Sequence, residues 1–313
     1  MKRIFPILAG IISLLFLTAC STPNDPILSS KKEVTSFEFS SLSATGMIDG
    51  NVITVYLPYG TNVTSLIADF SYQGSNVYYD GTSVESGITA LDYGVPLTLT
   101  VVAEDQSEYD YLVVVNYRFT DDFNRADSDT VGNNWIEIQR GDSVDAIMEI
   151  SGNQLKLTGG IGAYGNAESG QATVAHHISG TGNFNLSVDY ILHSNSRTIF
   201  YFFPELNNVA DYYCFWFSAS TIRIFRCIDY TTEVLVDDSV TFFDDSHSYN
   251  IKISIIDGIL EMTLTDNSNQ ESLTITANDS TFQSFSTFNI GGGFHDGDAI
   301  SDYVDNLTIK TVN

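Results

Sequence analysis

The stretch that decides the fold is FNLSVDY at residues 184–190, which alternates strictly between apolar and polar side chains. Successive side chains of a strand point to opposite faces, so this alternation predicts a strand with one buried face. Similar short runs recur between turn residues, for example DYYCFWF at 211–217 and YNIKI at 249–253. Beyond residue 20 no stretch keeps a helical period, so the sequence predicts an all-β protein.

The first twenty residues are a different kind of segment. Two cations precede an apolar run that ends in LTAC at residues 17–20, which is the order of a secretory signal. Small residues directly before a cysteine resemble a bacterial lipoprotein signal. That resemblance implies cleavage before Cys20, acyl chains such as palmitate on Cys20, and anchoring outside the cytoplasm, with Ser21 favouring the outer membrane or the cell surface. The alternative is an uncleaved transmembrane anchor, for which the run is short.

Net charge restricts the partners that the chain can bind. The 313 residues include 39 acids and 13 Lys and Arg, which gives a net charge of −26. Nucleic acids and anionic lipid head groups are bound through basic patches, so this charge argues against them as ligands. It suits a calcium ion or a neutral ligand such as a glycan. Hydrophobic residues make up 43% of the chain, as expected of a globular protein.

The chain is predicted to have four segments, and the boundary near Arg118 rests on the end of a Val-rich strand and on the family resemblances described below. The signal is followed by a small, polar, Pro-containing stretch that predicts a flexible tether. Two strand-rich segments come next, and no obvious linker separates them. The predicted segments are 1–19 (signal peptide), 20–35 (lipidated cysteine and tether), 36–117 (first domain) and 118–313 (second domain).

The first domain carries GMIDG at residues 46–50, VYLPYGT at 55–61 and VVAED at 101–105, ahead of YLVVV at 111–115. These strand and turn positions resemble the immunoglobulin-like repeats of bacterial surface lipoproteins, a class of domains of unknown function. The resemblance implies an immunoglobulin-like β-sandwich that serves as a spacer or adhesion module and has no active site.

The second domain opens with DDFNRAD at residues 121–127 and VGNNW at 131–135. This opening resembles the start of bacterial laminin-G or concanavalin A-like jelly rolls. The closing run YVDNLTI at residues 303–309 is similar to the last strand of that fold, which would pair near the first. The resemblance implies a jelly-roll β-sandwich, a fold that hosts both lectins and glycosidases and so does not decide function.

The pattern of acids argues against an enzyme. A retaining glycosidase needs two carboxylates about 5–5.5 Å apart, and related glucanases supply them from one strand. Asp189 and Glu261 each stand alone in their strands, so no catalytic residue is predicted. We therefore expect non-catalytic carbohydrate binding by the second domain. The alternatives are a surface protein that binds another protein or only packs, and a hydrolase or lyase with dispersed carboxylates.

Aromatic side chains are the candidate glycan contacts, because sugar rings stack on their apolar faces. Tyr212 and Trp216 share one face of their strand with Cys214, and Tyr201 and Phe203 share a face of the preceding strand. If that face is concave, the four rings make a platform. The alternative is that they are core residues.

Calcium is the one cofactor that the sequence suggests, since it prefers several oxygen ligands. Related jelly rolls hold a structural calcium where the first and last strands meet, which implies one set of acids here. A second set resembles half of a calcium loop. The alternative is that these acids are solvated or cap turns. The candidates are Asp121, Asp122 and Asp305 in the first set, and Asp296, Asp298 and Asp302 in the second.

Two cysteines remain beside Cys20. The residues between Cys214 and Cys227 predict a hairpin. With a two-residue turn at Ser220-Thr221, the two cysteines face each other at a non-hydrogen-bonded position, where Cα atoms approach to about 4.5 Å and a disulfide can form. A longer loop would offset them and leave two buried thiols.

Overall fold

A computed structural model describes residues 27–140, 146–159, 171–178, 182–194, 196–205, 209–292 and 301–312. Over these ranges the chain consists of strands, turns and one 3-10 segment, Ser40–Leu42, so the predicted all-β class is confirmed. No helix in the described ranges is long and apolar enough to cross a bilayer. The predicted signal peptide and Cys20, as well as Asp296 and Asp298, lie outside the described residues.

The first part of the chain, called here the first sandwich, folds into short sheets that pack around their own core. Phe37, Phe39, Val55 and Leu99 are among the buried side chains of this core. The strands are β1 (Glu33–Phe39), β2 (Ala44–Thr45), β3 (Met47–Asp49), β4 (Val52–Leu57), β5 (Leu66–Ile67), β6 (Asp69–Gln73), β7 (Asn76–Tyr79), β8 (Thr82–Ser83), β9 (Ala90–Leu91), β10 (Leu97–Val102) and β11 (Glu108–Asp121).

The second part is a sandwich of two larger sheets. Its strands are β12 (Ile136–Arg140), β13 (Ile147–Ser151), β14 (Gln154–Thr158), β15 (Gln171–His177), β16 (Phe184–Ile191), β17 (Arg197–Phe203), β18 (Tyr212–Ser218), β19 (Thr221–Ile228), β20 (Thr231–Ser239), β21 (Tyr249–Ile256), β22 (Ile259–Asp266), β23 (Ser272–Asn278), β24 (Thr287–Gly292) and β25 (Ser301–Thr311).

The two sheets of this sandwich enclose one hydrophobic core. The front sheet has the order β12-β15-β24-β17-β18-β19-β20, and the back sheet contains β13-β14-β25-β16-β21-β22-β23. The alternation of apolar and polar side chains explains why each sheet has a buried and an outer face. In β16 the polar residues are partly exposed, and the apolar residues between them are buried: Phe184, Leu186, Val188 and Tyr190. They meet the inner residues of the front sheet, such as Phe202, whose ring lies 4.6 Å from that of Phe184.

A tight turn fixes the pairing of β21 with β22. Ile256 pairs with Ile259, so Asp257 and Gly258 are the two turn residues. Both have positive φ, 51° and 78°. A two-residue hairpin turn of this handedness matches the right-handed twist of the flanking strands, and Asp-Gly is a favoured sequence for it. The dipeptide Asp257-Gly258 therefore fixes the register of this hairpin.

One continuous strand, β11, belongs to both parts of the chain. Its first half pairs antiparallel with β10 and parallel with β4, and its end, Arg118–Asp121, pairs with Leu307–Lys310 of β25. The Tyr117 backbone N–H also donates to Thr311 Oγ1 over 2.8 Å. The expected pairing of the last strand with the start of the second domain is therefore confirmed, and the chain passes between the two cores as a strand.

A buried carboxylate anchors one end of the sandwich. Asp302 is fully buried and accepts hydrogen bonds from Ser196 Oγ at 2.5 Å and the His193 backbone N–H at 3.0 Å. Tyr190 Oη lies 3.5 Å from the same carboxylate. Gly292 leaves the room for this group, because a Cβ added there would lie 2.2 Å from Tyr190 Oη and 3.0 Å from Asp302 Oδ2.

The substitution Gly292→Ala should therefore destabilise the sandwich by about 1–3 kcal/mol, the usual cost of overpacking a closed site. Thermal unfolding of the variant measures this cost. In a Tyr190→Phe background the added methyl no longer meets a hydroxyl, so the same substitution should cost less. Equal costs in the two backgrounds would contradict the assignment of the clash to Tyr190 Oη.

Candidate functional site

The outer face of the front sheet carries the aromatic residues singled out from the sequence. In β17 and β18, Phe200, Phe202, Tyr213 and Phe215 point into the main core. Because neighbours in a strand alternate, Tyr201, Phe203, Tyr212 and Trp216 lie on the opposite face. Pairing of Tyr201 with Cys214, and of Ile199 with Trp216, places them side by side across the two strands.

Three of these aromatic rings form a small core of their own. The Tyr201 and Tyr212 ring centroids are 5.1 Å apart, and Phe203 lies 5.5 Å from Tyr212 and 5.7 Å from Tyr201. Tyr201, Phe203 and Tyr212 are only 5%, 4% and 7% exposed, and they pack with Cys214 and Cys227. The rings thus share a face but do not present open stacking surfaces.

Trp216 lies between two arginines on the same face. The guanidinium carbons of Arg197 and Arg223 lie 5.5 Å and 4.8 Å from its ring, within the range of cation–π attraction. Arg223 also forms an ion pair with Asp237 at 3.1 Å. The indole Nε1 is buried and has no hydrogen-bond partner.

Unpaired buried polar atoms are concentrated on this face. Phe288 and Ile290 of β24 point into the core, so Thr287 and Asn289 point outward, and Thr173 of β15 lies opposite Gly291 on the same side. Six buried side-chain polar atoms of the described residues have no hydrogen-bond partner. Five of them belong to this outer face: Thr173 Oγ1, Thr287 Oγ1, Asn289 Oδ1, Trp216 Nε1 and Arg223 Nε.

Such atoms are costly, because a buried polar group without a partner loses about 1–3 kcal/mol of solvation. Their concentration on one face, beside aromatic rings, is typical of a surface that pairs with a polar ligand or with ordered water. We call this surface the front face. No pattern in the sequence pointed to Thr173, Thr287 and Asn289, because Thr173 meets the other two only through the pairing of β15 with β24.

The predicted disulfide between Cys214 and Cys227 is wrong for a reason of register. Phe217 pairs with Ile222, so the turn of the hairpin is centred one residue earlier than Ser220-Thr221. Cys214 therefore lies opposite Phe225, and Cys227 lies opposite Tyr212. Diagonal neighbours in a sheet are about 7–8 Å apart at Cα, beyond ordinary disulfide geometry. Both cysteines are buried thiols.

Asp121 organises the loop that opens the second sandwich. Its carboxylate accepts hydrogen bonds from Arg125 Nη1 at 2.7 Å, Trp135 Nε1 at 2.8 Å, the Phe123 backbone N–H at 2.9 Å and Asn133 Nδ2 at 3.0 Å. Burial alone would raise the pKa of Asp121, but these hydrogen bonds, Arg125 foremost, outweigh it and hold the pKa below its ordinary value.

Each of the two predicted calcium sites includes an acid that already accepts hydrogen bonds from the protein. Asp121 is engaged by protein donors, and so is the buried Asp302. Asp122 lies close enough to Asp305 for its charge to act on it. The pKa of Asp305 is raised first by burial and then by the charges of Asp189 and Asp122. No group of three or more His, Cys, Asp or Glu suited to a metal occurs among the described residues. Calcium binding stays a prediction.

Comparison with known families matches only the first sandwich. Residues 34–115 match the family model described as SGBP, N-terminal. The match ends before the second sandwich and covers less than half of the chain. No curated protein matches the chain.

Solved structures similar to the chain cover about three fifths of it. The carbohydrate-binding module CBM66 from Bacillus subtilis has 15% identity and a TM-score of 0.40, with 57% of this chain and 96% of that chain covered. The CBM2 module of the evolved Dit of Lactobacillus casei BL23 phage J-1 has 13% identity and a TM-score of 0.46, with 63% and 96% covered. Lectin II from Ulex europaeus has 13% identity and a TM-score of 0.43, with 62% of this chain and 98% of that chain covered. No residue role is transferred at these values.

The register of the hairpin predicts the thiol chemistry of the chain from Ser21 onward, in which Cys214 and Cys227 are the only cysteines. Both should react with a thiol reagent in denaturant without prior reduction, and neither should react quickly in the native protein, because both are buried. Intact mass with and without reductant provides the check. A 2 Da difference would contradict the register.

The lowered pKa of Asp121 predicts a loss of stability in acid. A carboxyl whose pKa is depressed on folding stabilises the fold above its unfolded pKa, and this contribution disappears as the pH falls through the folded pKa. The variant Asp121→Asn should be less stable than the wild type at neutral pH and should show a shallower decline between about pH 5 and pH 2. Denaturant unfolding at each pH measures both. If the free energy of unfolding falls in parallel with pH for the variant and the wild type, Asp121 is not responsible for the loss of stability in acid.

Proposed function

We propose that this chain is an extracytoplasmic lipoprotein that binds carbohydrate without cleaving it. The lipid on Cys20 would hold it at a membrane, residues 21–35 would act as a tether, and the first sandwich would act as a spacer. The front face of the second sandwich would bind the glycan. Support comes from the match of residues 34–115 to the N-terminal model of the surface glycan-binding protein family.

The unpaired polar atoms of the front face are the observation that carries this proposal. Hydroxyl-rich sugars can donate to Thr287 Oγ1 and Asn289 Oδ1 and accept from Trp216 Nε1, which supplies the partners that the protein lacks. The partly exposed ring of Trp216 offers apolar contact for the carbon face of the sugar. A site for a small molecule is usually lined by apolar side chains with a small number of precisely placed polar groups.

The composition of the front face supports binding over catalysis. The central strands β15, β24, β17 and β18 contain no Asp or Glu, so they cannot supply the carboxylate pair of a glycosidase. The cations that flank Trp216 are held by the ring and, for Arg223, by Asp237. This arrangement favours reversible binding through hydrogen bonds and ring contacts.

The substitutions Thr173→Val and Thr287→Val test the proposal by separating stability from binding. Each replaces a buried hydroxyl that has no partner with a methyl group of similar size, so neither variant should unfold at a lower temperature than the wild type. Each should weaken binding of the recognised glycan by about tenfold, the value of one lost hydrogen bond. A glycan array with the chain from Ser21 onward identifies the ligand, and calorimetry measures the affinities.

The matched control is Thr198→Val on the inner face of β17, where Thr198 Oγ1 donates to the Gly291 carbonyl at 3.3 Å. This variant should lose stability and keep glycan affinity. If no glycan on the array binds, the proposal fails, and the alternative that the chain binds another protein is favoured. If a bound glycan is cleaved, the non-catalytic assignment fails. Unchanged affinity in Thr173→Val and Thr287→Val would remove the front face as the site.

A further inference from the structure

The second sandwich also has a polar groove on the outer face of its back sheet. Its volume is about 470 Å³, within the usual range of ligand sites. Leu186 and Ile253 form its floor through their backbone, since their side chains are buried in the core. Its walls are mostly neutral and polar, with two lysines and one carboxylate: Asn185, Ser187, Lys252, Ser254, Glu261, Thr263, Thr308 and Lys310.

The cations of this groove lie in a chain with a net charge of −26. Among the described residues, Arg125, Lys156, Arg223 and Arg226 each have a carboxylate within 4 Å. Lys252, Lys310 and Arg118 form no ion pair within the described part of the chain, although acids outnumber Lys and Arg 39 to 13.

Strand pairing brings these three cations to one face. Lys310 of β25 lies opposite Arg118 of β11 on one side and opposite Asn185 of β16 on the other. Ser187, two residues along β16 and thus on the same face, lies opposite Lys252 of β21. The three cations therefore line a path across four adjacent strands, with neutral polar side chains between them.

An aromatic ring holds the rim of the groove where the two sandwiches meet. Tyr56 of β4 has the Arg118 guanidinium carbon and Lys310 Nζ each 5.7 Å from its ring centroid. Cation–π contact at this distance orients both groups but does not neutralise them. Tyr117, next to Arg118, is fixed to Thr311 by its backbone hydrogen bond.

Nearby carboxylates do not cancel this charge. Glu261 is the one acid that lines the groove, against the two lysines Lys252 and Lys310. Arg118 lies beside Lys310 on the next strand, outside the lining, and brings the local excess to two positive charges. Asp189 lies further along β16, and its two oxygens accept hydrogen bonds from Asn250 Nδ2 at 2.9 Å and Asn306 Nδ2 at 3.0 Å. A ligand that carries negative charge would therefore be favoured in the groove and repelled elsewhere on the protein.

We propose that this groove, named here the back groove, binds an acidic polysaccharide, whose carboxylate or sulfate groups pair with Lys252, Lys310 and Arg118 while its hydroxyls bond to the neutral polar side chains. The site is separate from the front face, although both proposals expect a saccharide. Nucleic acid fits less well, because the lining has no aromatic side chain on which bases could stack, and the ring of Tyr56 at the rim already carries Arg118 and Lys310. An anionic membrane fits less well too, since its recognition uses clusters of 4–8 cations.

The test compares acidic and neutral polysaccharides with matched backbones on the chain from Ser21 onward. Affinity electrophoresis and calorimetry with dextran sulfate against dextran, and with polygalacturonate against methyl-esterified pectin, also separate sulfate from carboxylate recognition. We expect at least one acidic member to bind about tenfold more tightly than its neutral partner, and the difference to shrink as salt is added. Equal binding within both pairs overturns the proposal.

Substitutions then locate the acidic ligand. Lys252→Ala and Lys310→Ala should each weaken binding of the acidic member about fivefold to tenfold, and Lys252→Arg should retain most of it. The control Lys31→Ala removes the same charge from an exposed lysine far along the chain and should have no effect. All three positions are partly or fully exposed, so the four variants should unfold like the wild type, as a melting curve checks.

The outcomes separate the two proposals. If neutral glycans bind and acidic ones gain nothing, the back groove fails and the front face stands. If acidic glycans bind but weaken with Thr173→Val and not with Lys252→Ala, the ligand is held at the front face and the back groove fails. If Lys31→Ala weakens binding as much as Lys252→Ala, the effect is net charge alone, which also overturns the proposal.

Discussion

The backbone pairing of β11 is the constraint on which the rest of the structure depends. This strand runs without a break from Glu108 to Asp121 and joins β4 and β10 to β25 through one set of hydrogen bonds. A flexible linker would leave the two sandwiches free to rotate, whereas a shared strand fixes their relative position through regular secondary structure. Tyr56 and Lys310, which belong to different sandwiches, meet for this reason.

The end of β11 also sets the geometry of the second sandwich. Asp121 is its last residue, and the carboxylate gathers donors from Phe123, Arg125, Asn133 and Trp135. Trp135 in turn packs with its ring centroid 5.7 Å from that of Phe119 and 5.6 Å from that of Phe288, which places the loop against the front sheet. One acid thus links the shared strand to the core, which explains why this chain opens its second sandwich with a run of acid, aromatic and arginine residues.

Local patterns in the sequence predicted the class of fold but not the residues that form the candidate site. Period-2 alternation in β16, the Asp257-Gly258 turn and the pairing of the closing strand could all be predicted, because each depends on neighbours along the chain or on a family resemblance. The cysteine register could not be predicted, because a shift of one residue in the turn centre displaces every cross-strand pair by two. Three of the unpaired atoms of the front face come from Thr287 and Asn289 of β24 and from Thr173 of β15, which is far from them in sequence. Their lack of partners is a property of the assembled sheet, which no local pattern records.

The direction of the strands has a mechanical consequence. Because β11 pairs side by side with β4 in one sandwich and with β25 in the other, a pull that separates the two sandwiches along this strand loads those ladders in shear. Many hydrogen bonds then resist together, whereas a pull that peels a strand from its edge breaks them one at a time. A load applied across the two sandwiches would therefore be shared by both ladders of β11.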